Sequence, residues 1–562
     1  MLYYGDRLRE ASPRELLAAA RARLGERGPQ APRAAFLEAA SLAQGLADRA
    51  FEARGEDGPD ALADAALALT AALARRAWTA WEGRPAAGAP PPELEALAAL
   101  PLPPTVRVKE PEGHAHYALY PETYALAARD LPRDRPWIAV GVRSIGTGLG
   151  AMAAAALGAA ALVTVRPVGH PHARALRLSP ELRARLADAA RRGARFAVAD
   201  EGPGLSGSSF LAVARALDEA GAPRERVTFL PAHLNDPGPA AAERDRARWR
   251  EVDRRVVPFE EAVLPRVRAA VTALTGEAEL SDLSAGAWRA HAIAPGRRLP
   301  PVFRQQERRK LLARARGGAW VARFAGLGRC AEETLALARA LATAGFLPPP
   351  AGLAEGFLVQ PWVEARPLEE VDLAEPVLVE HLARYLAFRA GAFPATPGEG
   401  ADPAALLELL RVNAGEALGP VAAAAVDRYA AGAREAARLR PVRVDGKLER
   451  WEWLVDGGGR LVKADALDHA RGHDLAGAQP IAWDVAAAEV ELGLSPGAAG
   501  ELRARVAPGA SAGALAFLRA AYLAHRLGRW TFALATEGDP AERALVEAEL
   551  GRYRGLLATA LG

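Results

Sequence analysis

RFAVADEGPGLSGSSF, residues 195–210, sets an apolar run, two adjacent acids and a glycine- and serine-rich turn in front of LAVARALDEAG, whose apolar positions recur at helical spacing. Strand, acids, loop and helix N-terminus in that order build an anion cradle, because backbone N–H groups, hydroxyls and the helix dipole all favour a phosphate. Asp200 and Glu201 sit just upstream, placed to accept from sugar hydroxyls or to hold a hydrated Mg²⁺. A sugar phosphate satisfies both halves. The absence of G-x-S-x-G excludes a serine-hydrolase elbow at this position.

The segment resembles the phosphoribosyl pyrophosphate (PRPP) signature of the type I phosphoribosyltransferases, an apolar strand with two acids followed by a T-G-x-T-like loop. The resemblance implies that Asp200 and Glu201 contact the ribose and act as catalytic residues, and that Ser206, Gly207, Ser208 and Ser209 hold the 5′-phosphate. Two departures stand out: Ser206 replaces the first Thr, and the GPGL spacer is one residue longer than the common form. Upstream, PWIAVGVRSIGTGLGAMAAAALG (136–158) repeats strand, loop and helix, with Ile138–Val142 as the strand and 144–150 as the loop. The same resemblance implies Arg143, Ser144, Gly146, Thr147 and Gly148 for the pyrophosphate. A third strand and a loop with Arg166, His170, His172 and Arg174 follow, and the family's mobile loop falls there. His170 and His172 alone make no metal site and read as solvated.

Tyr117, Tyr120 and Tyr124 recur at three- and four-residue spacing in HAHYALYPETYALAARDL (114–131). They share a helical face if Pro121 opens the helix, a face that either stacks on a planar base or packs into the core. RVTFLPAH (226–233) adds a further strand, so short strands alternating with helices predict a mainly parallel sheet with ligands at the strands' C-terminal ends.

At 562 residues the chain has room for about three domains. Half of it is hydrophobic and a quarter charged, the composition of a globular chain. A net charge of +3 gives no support to nucleic-acid binding. Four of the 71 basic residues are lysine, which makes arginine clusters uninformative. The single cysteine, Cys330, forbids an internal disulfide and fits a reducing cytoplasm. No signal peptide or membrane span is expected, since the uncharged stretch 148–165 is mostly Ala and Gly.

Composition also sets the expected domains. Residues 1–100 read as Ala- and Leu-rich helices broken at GERGPQ and RGEDGPD, ending in the Pro-rich RPAAGAPPPE and PLPP. An apolar face in these helices is available to a second subunit. Residues 101–290 form the phosphoribosyltransferase-like domain, 291–304 a linker, and 305–562 a last domain.

In that last domain GGAWVARFAGLGR, CAEETLALARALATAG and GFLVQPWVEARPL give strand, helix, strand and an apolar hinge. VRVDGKLERWEWLVDGGGRLVKADALDH (442–469) then carries two separated acids, and IAWDVAAA a third. The pattern resembles the aminoglycoside-phosphotransferase and protein-kinase-like superfamily. The resemblance implies a two-lobed α+β domain with Asp445 orienting or deprotonating an acceptor hydroxyl, Lys447 on the γ-phosphate, Asp465 on Mg²⁺ and Asp484 as a structural acid. Arg323 stands where the ATP-gripping lysine is expected, and Arg450 where the metal-binding Asn is expected, with Glu452 as its substitute. His469 and His473, beside Asp468, form either a metal site with Asp465 or a solvated pair.

The expected fold is thus a multidomain α/β protein: helical region, parallel-sheet domain, two-lobed kinase-like domain. The expected activity is cytoplasmic transfer of ribosyl-5-phosphate from PRPP, with Mg²⁺, to an acceptor the sequence does not name. The C-terminal domain would use ATP to phosphorylate a small molecule in nucleotide metabolism. Small-molecule substrates are the expected partners, with no nucleic acid or membrane and with a homo-oligomer open. Two other readings compete: a PRPP- or nucleotide-sensing regulator with an inactive kinase-like domain, and a small-molecule kinase with an accessory nucleotide-binding domain.

Overall fold

WIAVGV (β3, Trp137–Val142) is buried at all six positions, as expected of a strand covered on both faces. Its side chains alternate between two apolar layers. Trp137 joins Tyr124, Leu149, Ala153, Ala197 and Ala199 on one face, while Ile138, Val140 and Val142 join Phe196, Val198, Phe210 and Trp249 on the other. Each large side chain so buried contributes about 1.5–3 kcal/mol.

The computed structural model describes every residue except 86, 87, 205, 239, 240, 372, 397 and 468, and leaves out the side chain of residue 370. Leu205 of the signature spacer and Asp468 of the histidine motif therefore lie outside the described residues. The chain divides into two compact units. One comprises Leu8–Ala270 with Gly326–Cys330; the other comprises Met1–Arg7, Val271–Ala325 and Ala331–Gly562.

In the first unit a short antiparallel pair, β1 (Leu8–Ala11) and β2 (Val106–Lys109), accompanies three long helices at Pro13–Leu24, Ala31–Arg54 and Ala61–Trp81. These helices break where GERGPQ and RGEDGPD predict; Ser12 and Asp60 cap two of them, and Gly55 ends the second with a positive φ of 77°. Five parallel strands follow: β3, β4 (Ala161–Val165), β5 (Arg195–Ala199), β6 (Val227–Leu230) and β7 (Asp253–Arg254). Their order is β4-β3-β5-β6-β7, so β3 and β5 are neighbours although β4 lies between them in sequence. The connections after β3 and after β5 leave in opposite directions, which makes the C-terminal ends of these two strands a topological switch point.

Close helix–sheet packing decides the first of those ends. A Cβ on Gly141 would lie 2.1 Å from the Gly146 carbonyl oxygen, so only glycine lets helix Gly146–Leu157 start directly on the strand. The glycine-rich loop expected at 144–150 is accordingly shorter: Gly146, Thr147 and Gly148 form the helix's first turn. The tyrosine face is corrected too. Helix Pro121–Arg129 opens at Pro121, which leaves Tyr120 at its cap and Tyr117 at the end of the short helix Glu112–His116.

In the second unit an antiparallel sheet of β8 (Ala278–Asp282), β9 (Lys310–Ala315), β10 (Gly318–Phe324), β11 (Gly352–Ala354) and β12 (Phe357–Pro361) runs in the order β11-β12-β10-β9-β8. Helix Arg329–Thr343 connects β10 to β11. β8 precedes the linker expected at 291–304 but pairs with β9, so the units part before residue 291. A mainly helical half follows, with helices at Glu375–Ala392, Pro403–Leu418, Ala482–Leu492, Pro496–Val506, Ala512–Thr536 and Pro540–Leu561. Two small sheets are set into it: β13 (Ala365–Pro367) with β15 (Trp453–Asp456) and β16 (Leu461–Lys463), and β14 (Pro441–Val442) with β17 (Gln479–Pro480). No described helix is long and apolar enough to cross a membrane.

Candidate functional site

Two clusters of ionisable residues stand out, one in each unit. In the second unit the β15–β16 hairpin carries Lys463 and, just beyond it, Asp465, while the loop after β14 carries Asp445. Asp484, in the first turn of helix Ala482–Leu492, accepts from the backbone N–H groups of Asp445 at 2.7 Å and Gly446 at 2.9 Å and so fixes that loop. Burial and the neighbouring Asp445 charge push its pKa up to about 6.

Asp445 is fully buried. Its carboxylate accepts from the Tyr385 hydroxyl, lies 3.1 Å from His469 Nδ1 and lies 3.4 Å from Lys463 Nζ. Burial opposes its charge, but Lys463, His469 and Arg389 outweigh that and hold its pKa well below the usual carboxylate range. Lys463, itself without exposed side-chain surface, also donates to the Lys447 carbonyl and lies over the Trp453 ring. Arg389 is 1% exposed and donates to the carbonyls of Ala466, Arg443 and Val444 and to the Tyr385 hydroxyl, stapling the Asp445 loop to the Asp465 segment.

Asp465 Oδ2 sits 3.2 Å from Arg323 Nε on β10 and 3.5 Å from His469 Nε2, while its Oδ1 is buried with no hydrogen-bond partner. His469 therefore bridges the two acids. Burial and Lys447 press its imidazole toward neutrality, yet the carboxylates of Asp465 and Asp445 prevail and raise its pKa above the ordinary value. Glu452 is half-buried next to this group, its pKa raised by burial, and its carbonyl accepts from Ala464 N. Burial, then Arg529, lowers the pKa of Lys447.

Set against the sequence expectations, the structure brings Arg323, Asp445, Lys447, Glu452, Asp465 and Asp484 together. Asp445, expected as a base, is buried and charge-paired with Lys463 and His469. Arg323 is only 6% exposed, with its Nε 3.2 Å from Asp465 Oδ2. His469 is buried rather than solvated, and His473 packs against the Tyr4 ring at 5.0 Å. Among the described residues no three His, Cys, Asp or Glu side chains are arranged to hold a metal. Asp465 Oδ1 is nonetheless buried without a hydrogen-bond partner, and the charge of Asp465 acts on Glu452. Tyr385, Arg389, Lys463 and His469 were not picked out for these roles from sequence; the i, i+4 spacing of Tyr385 and Arg389 is the one local signal.

In the first unit Asp200 and Glu201 follow β5 directly, at the switch point. Asp200 Oδ1 accepts from Glu201 N at 2.8 Å, and the Tyr124 hydroxyl donates to the Asp200 carbonyl at 2.9 Å, so Tyr124 supports the acid pair from the core. Burial pushes Asp200 up to about 7. Burial, then Glu112 and Asp200, pushes Glu201 up to about 8.

The serines do not stand open to an anion. Ser206 and Ser208 are each 5% exposed, and both hydroxyls donate at 2.6 Å to the carbonyl of Pro171 in the loop after β4. Ser209 Oγ accepts from Arg174 at 3.3 Å, and Gly207 takes a positive φ of 66° as helix Ser208–Glu219 begins. Arg143 is corrected as a pyrophosphate ligand. Its side chain is 2% exposed, bonded to Asp48 at 2.8 Å, to Asp57, and to the Thr164 carbonyl and hydroxyl at 3.2 Å each. Thr147 and Gly148 are buried, Gly148 against Phe36 and Ala40, so neither side meets solvent. Ser144 is half-buried. Gly146 abuts the Ala199 carbonyl, where a Cβ would come within 2.6 Å, which places the start of its helix against the end of β5.

No family model and no curated protein matches this chain. Among the solved structures it resembles are kinases and an aminoglycoside phosphotransferase. A choline/ethanolamine kinase family protein from Mesorhizobium loti is 18% identical over 52% of this chain and 96% of its own, at a TM-score of 0.33. The choline kinase LicA from Streptococcus pneumoniae is 14% identical over 44% and 89%, at 0.30. A thermostable mutant of the aminoglycoside phosphotransferase APH(4)-Ia is 15% identical over 52% and 98%, at 0.33.

Proposed function

We propose that the second unit is a kinase-like phosphotransferase that moves a phosphoryl group from ATP to a hydroxyl of a small molecule. One observation carries this reading. The half-buried Asp465 keeps one oxygen unpartnered while the other lies within 3.5 Å of Arg323 and His469, opposite a second, fully buried aspartate whose loop is fixed by Asp484. The support lies within the chain: sheet, helix, capped loop and hairpin acid follow one another in chain order, and phosphoryl transfer is catalysed chiefly by positioning. Asp465, with Glu452, would hold Mg²⁺, which when bound neutralises charge developing on the phosphates. An acceptor hydroxyl oriented by the Asp445 anion has to displace Tyr385 or His469 from that buried carboxylate, Lys447 supplies positive charge next to it, and His469 keeps the two acids in register. Radiolabelled ATP, Mg²⁺ and a panel of small hydroxylated acceptors test it. Transfer that Asp465→Asn abolishes supports the reading, and ATP binding too weak to saturate at millimolar concentration refutes it.

A second reading belongs to the first unit, and the position of Asp200 and Glu201 at the switch point favours it. There the acid pair binds the pentose of a sugar phosphate such as PRPP, with ribosyl transfer as its active form and sensing as its passive one. An anion entering the serine cradle has to displace the Pro171 carbonyl. Pyrophosphate release from PRPP across a panel of bases separates the two forms, since a sensor binds without turnover.

A further inference from the structure

Residues 1–7 belong to the second unit although the chain continues at Leu8 into the first. They lie against segments far away in sequence. The Asn413 side chain, fully buried, accepts from Leu2 N at 2.7 Å and donates to Leu2 O at 2.8 Å, reading the strap's backbone as a neighbouring strand would. Tyr3 is 2% exposed; its hydroxyl donates to Gln306 at 2.7 Å and accepts from Arg529 at 2.9 Å, and its carbonyl accepts from Leu475 N at 2.7 Å. A Cβ on Gly5 would lie 2.8 Å from Leu475 Cα, so the strap touches this segment backbone to backbone. Arg7 finishes the clamp. Its Nε donates to Gly472 O at 2.9 Å, Nη1 to Glu399 O at 3.0 Å and Nη2 to Asp474 O at 2.6 Å.

The clamped segment, 472–475, is the continuation of the short helical turn His469–Arg471, and Gly472 N donates to His469 O at 3.0 Å. Only that turn separates the carbonyl Arg7 grips from the imidazole that bridges Asp445 and Asp465. Asp474 is tied on its other side by Gly477 N at 3.2 Å and by His525 Nε2 at 3.4 Å. Three hydrogen bonds from one guanidinium to carbonyls of two segments make a fixed corner, because a planar fork loses little freedom in forming them.

We infer that Arg7 and Tyr3 are positioning residues for the phosphotransferase centre: through segment 472–475 they hold His469 between Asp445 and Asp465. The inference rests on the proposed function for its meaning but not for its test. In the full chain, Arg7→Ala raises amide hydrogen exchange of residues 469–478 about tenfold to a hundredfold, since charge-assisted bonds to half-buried carbonyls are lost. The ¹³C-labelled His469 ring resonance, assigned with His469→Gln, moves at the same time. Arg7→Lys, which keeps the charge but not the fork, gives an intermediate exchange rate, and Tyr3→Phe a smaller one. Where transfer activity is found, Arg7→Ala lowers kcat and leaves the KM for ATP within about twofold.

An unchanged His469 resonance in both Arg7 variants overturns the inference. So does exchange that rises equally throughout the second unit, which is the mark of a merely structural role. If the wild-type chain neither binds nor uses ATP while the resonance still moves, the phosphotransferase reading falls and the strap's hold on His469 stands.

Discussion

Replacing Lys463 by methionine probes whether Asp445 is kept charged by its surroundings. Lys463 Nζ is 3.4 Å from Asp445 Oδ2, and neither side chain has exposed surface. At an effective dielectric near 20, two unit charges at that distance attract by about 5 kcal/mol. Desolvation of both opposes this, and removing one partner of such a buried pair costs about 3–5 kcal/mol. Methionine fills much of the same volume over Trp453, so the loss is chiefly electrostatic. The pH dependence gives the reasoning its sign. In the wild type the Asp445 pKa is depressed below its unfolded value of about 3.9, so its contribution is full above that value and lost as pH falls through the depressed one. Without Lys463, burial becomes the dominant influence and the pKa rises; the charged carboxylate then costs stability at neutral pH, and the cost fades on acidification. Urea unfolding followed by hydrogen exchange of peptides spanning 441–466 therefore shows a loss of about 3–5 kcal/mol at pH 7 that narrows toward pH 4. A loss under about 1 kcal/mol, or one independent of pH, refutes the idea that Lys463 maintains the anion.

Asp200 and Glu201 carry raised pKa values, so the folded state holds their protons more tightly than the unfolded one, and the first unit loses stability as pH rises from about 4 to about 8. Glu201→Gln flattens that slope and stabilises the unit at pH 8 by about 1–3 kcal/mol, read from melting temperature against pH; an unchanged slope argues against burial as the cause. Ser206→Ala with Ser208→Ala removes both donors to Pro171 and speeds exchange in residues 168–175 by about tenfold, whereas a loop that stays protected is held by something else. Tyr385→Phe takes a donor from Asp445 and an acceptor from Arg389, costing about 1–3 kcal/mol in the second unit by urea titration; a neutral result removes Tyr385 from the network.

Apolar runs made β3, β4, β5 and β6 legible, and in β3, β5 and β6 they follow from strands covered on both faces, which need few polar residues. Their order was not, since partner choice depends on packing between elements far apart in sequence. Glycine at 146 and 148 read as loop from its low helix propensity; in the fold that cost is outweighed by the close approach that glycine at 141 and 146 permits. β8 shows the same limit. Its five residues carry no sign that they complete a sheet with β9 rather than close the preceding domain. At the candidate centre the acids were readable because motif spacing is local, whereas Lys463 and Tyr385 act on Asp445 from separate elements. Burial reversed two expectations: His469 became a bridge, and Ser206 and Ser208 turned toward a backbone carbonyl.

The strap also sets a clock on biosynthesis. Leu2 and Tyr3 are translated before their hydrogen-bond partners Asn413 and Arg529, which follow 411 and 526 residues later. At translation speeds of about 5–20 residues per second, Tyr3 waits roughly half a minute to two minutes for its seat. A nascent chain stalled anywhere before Arg529 leaves that tyrosine hydroxyl without its arginine donor. The Tyr3–Arg529 contact therefore closes only after Arg529 is made, and a product terminated before that residue lacks it.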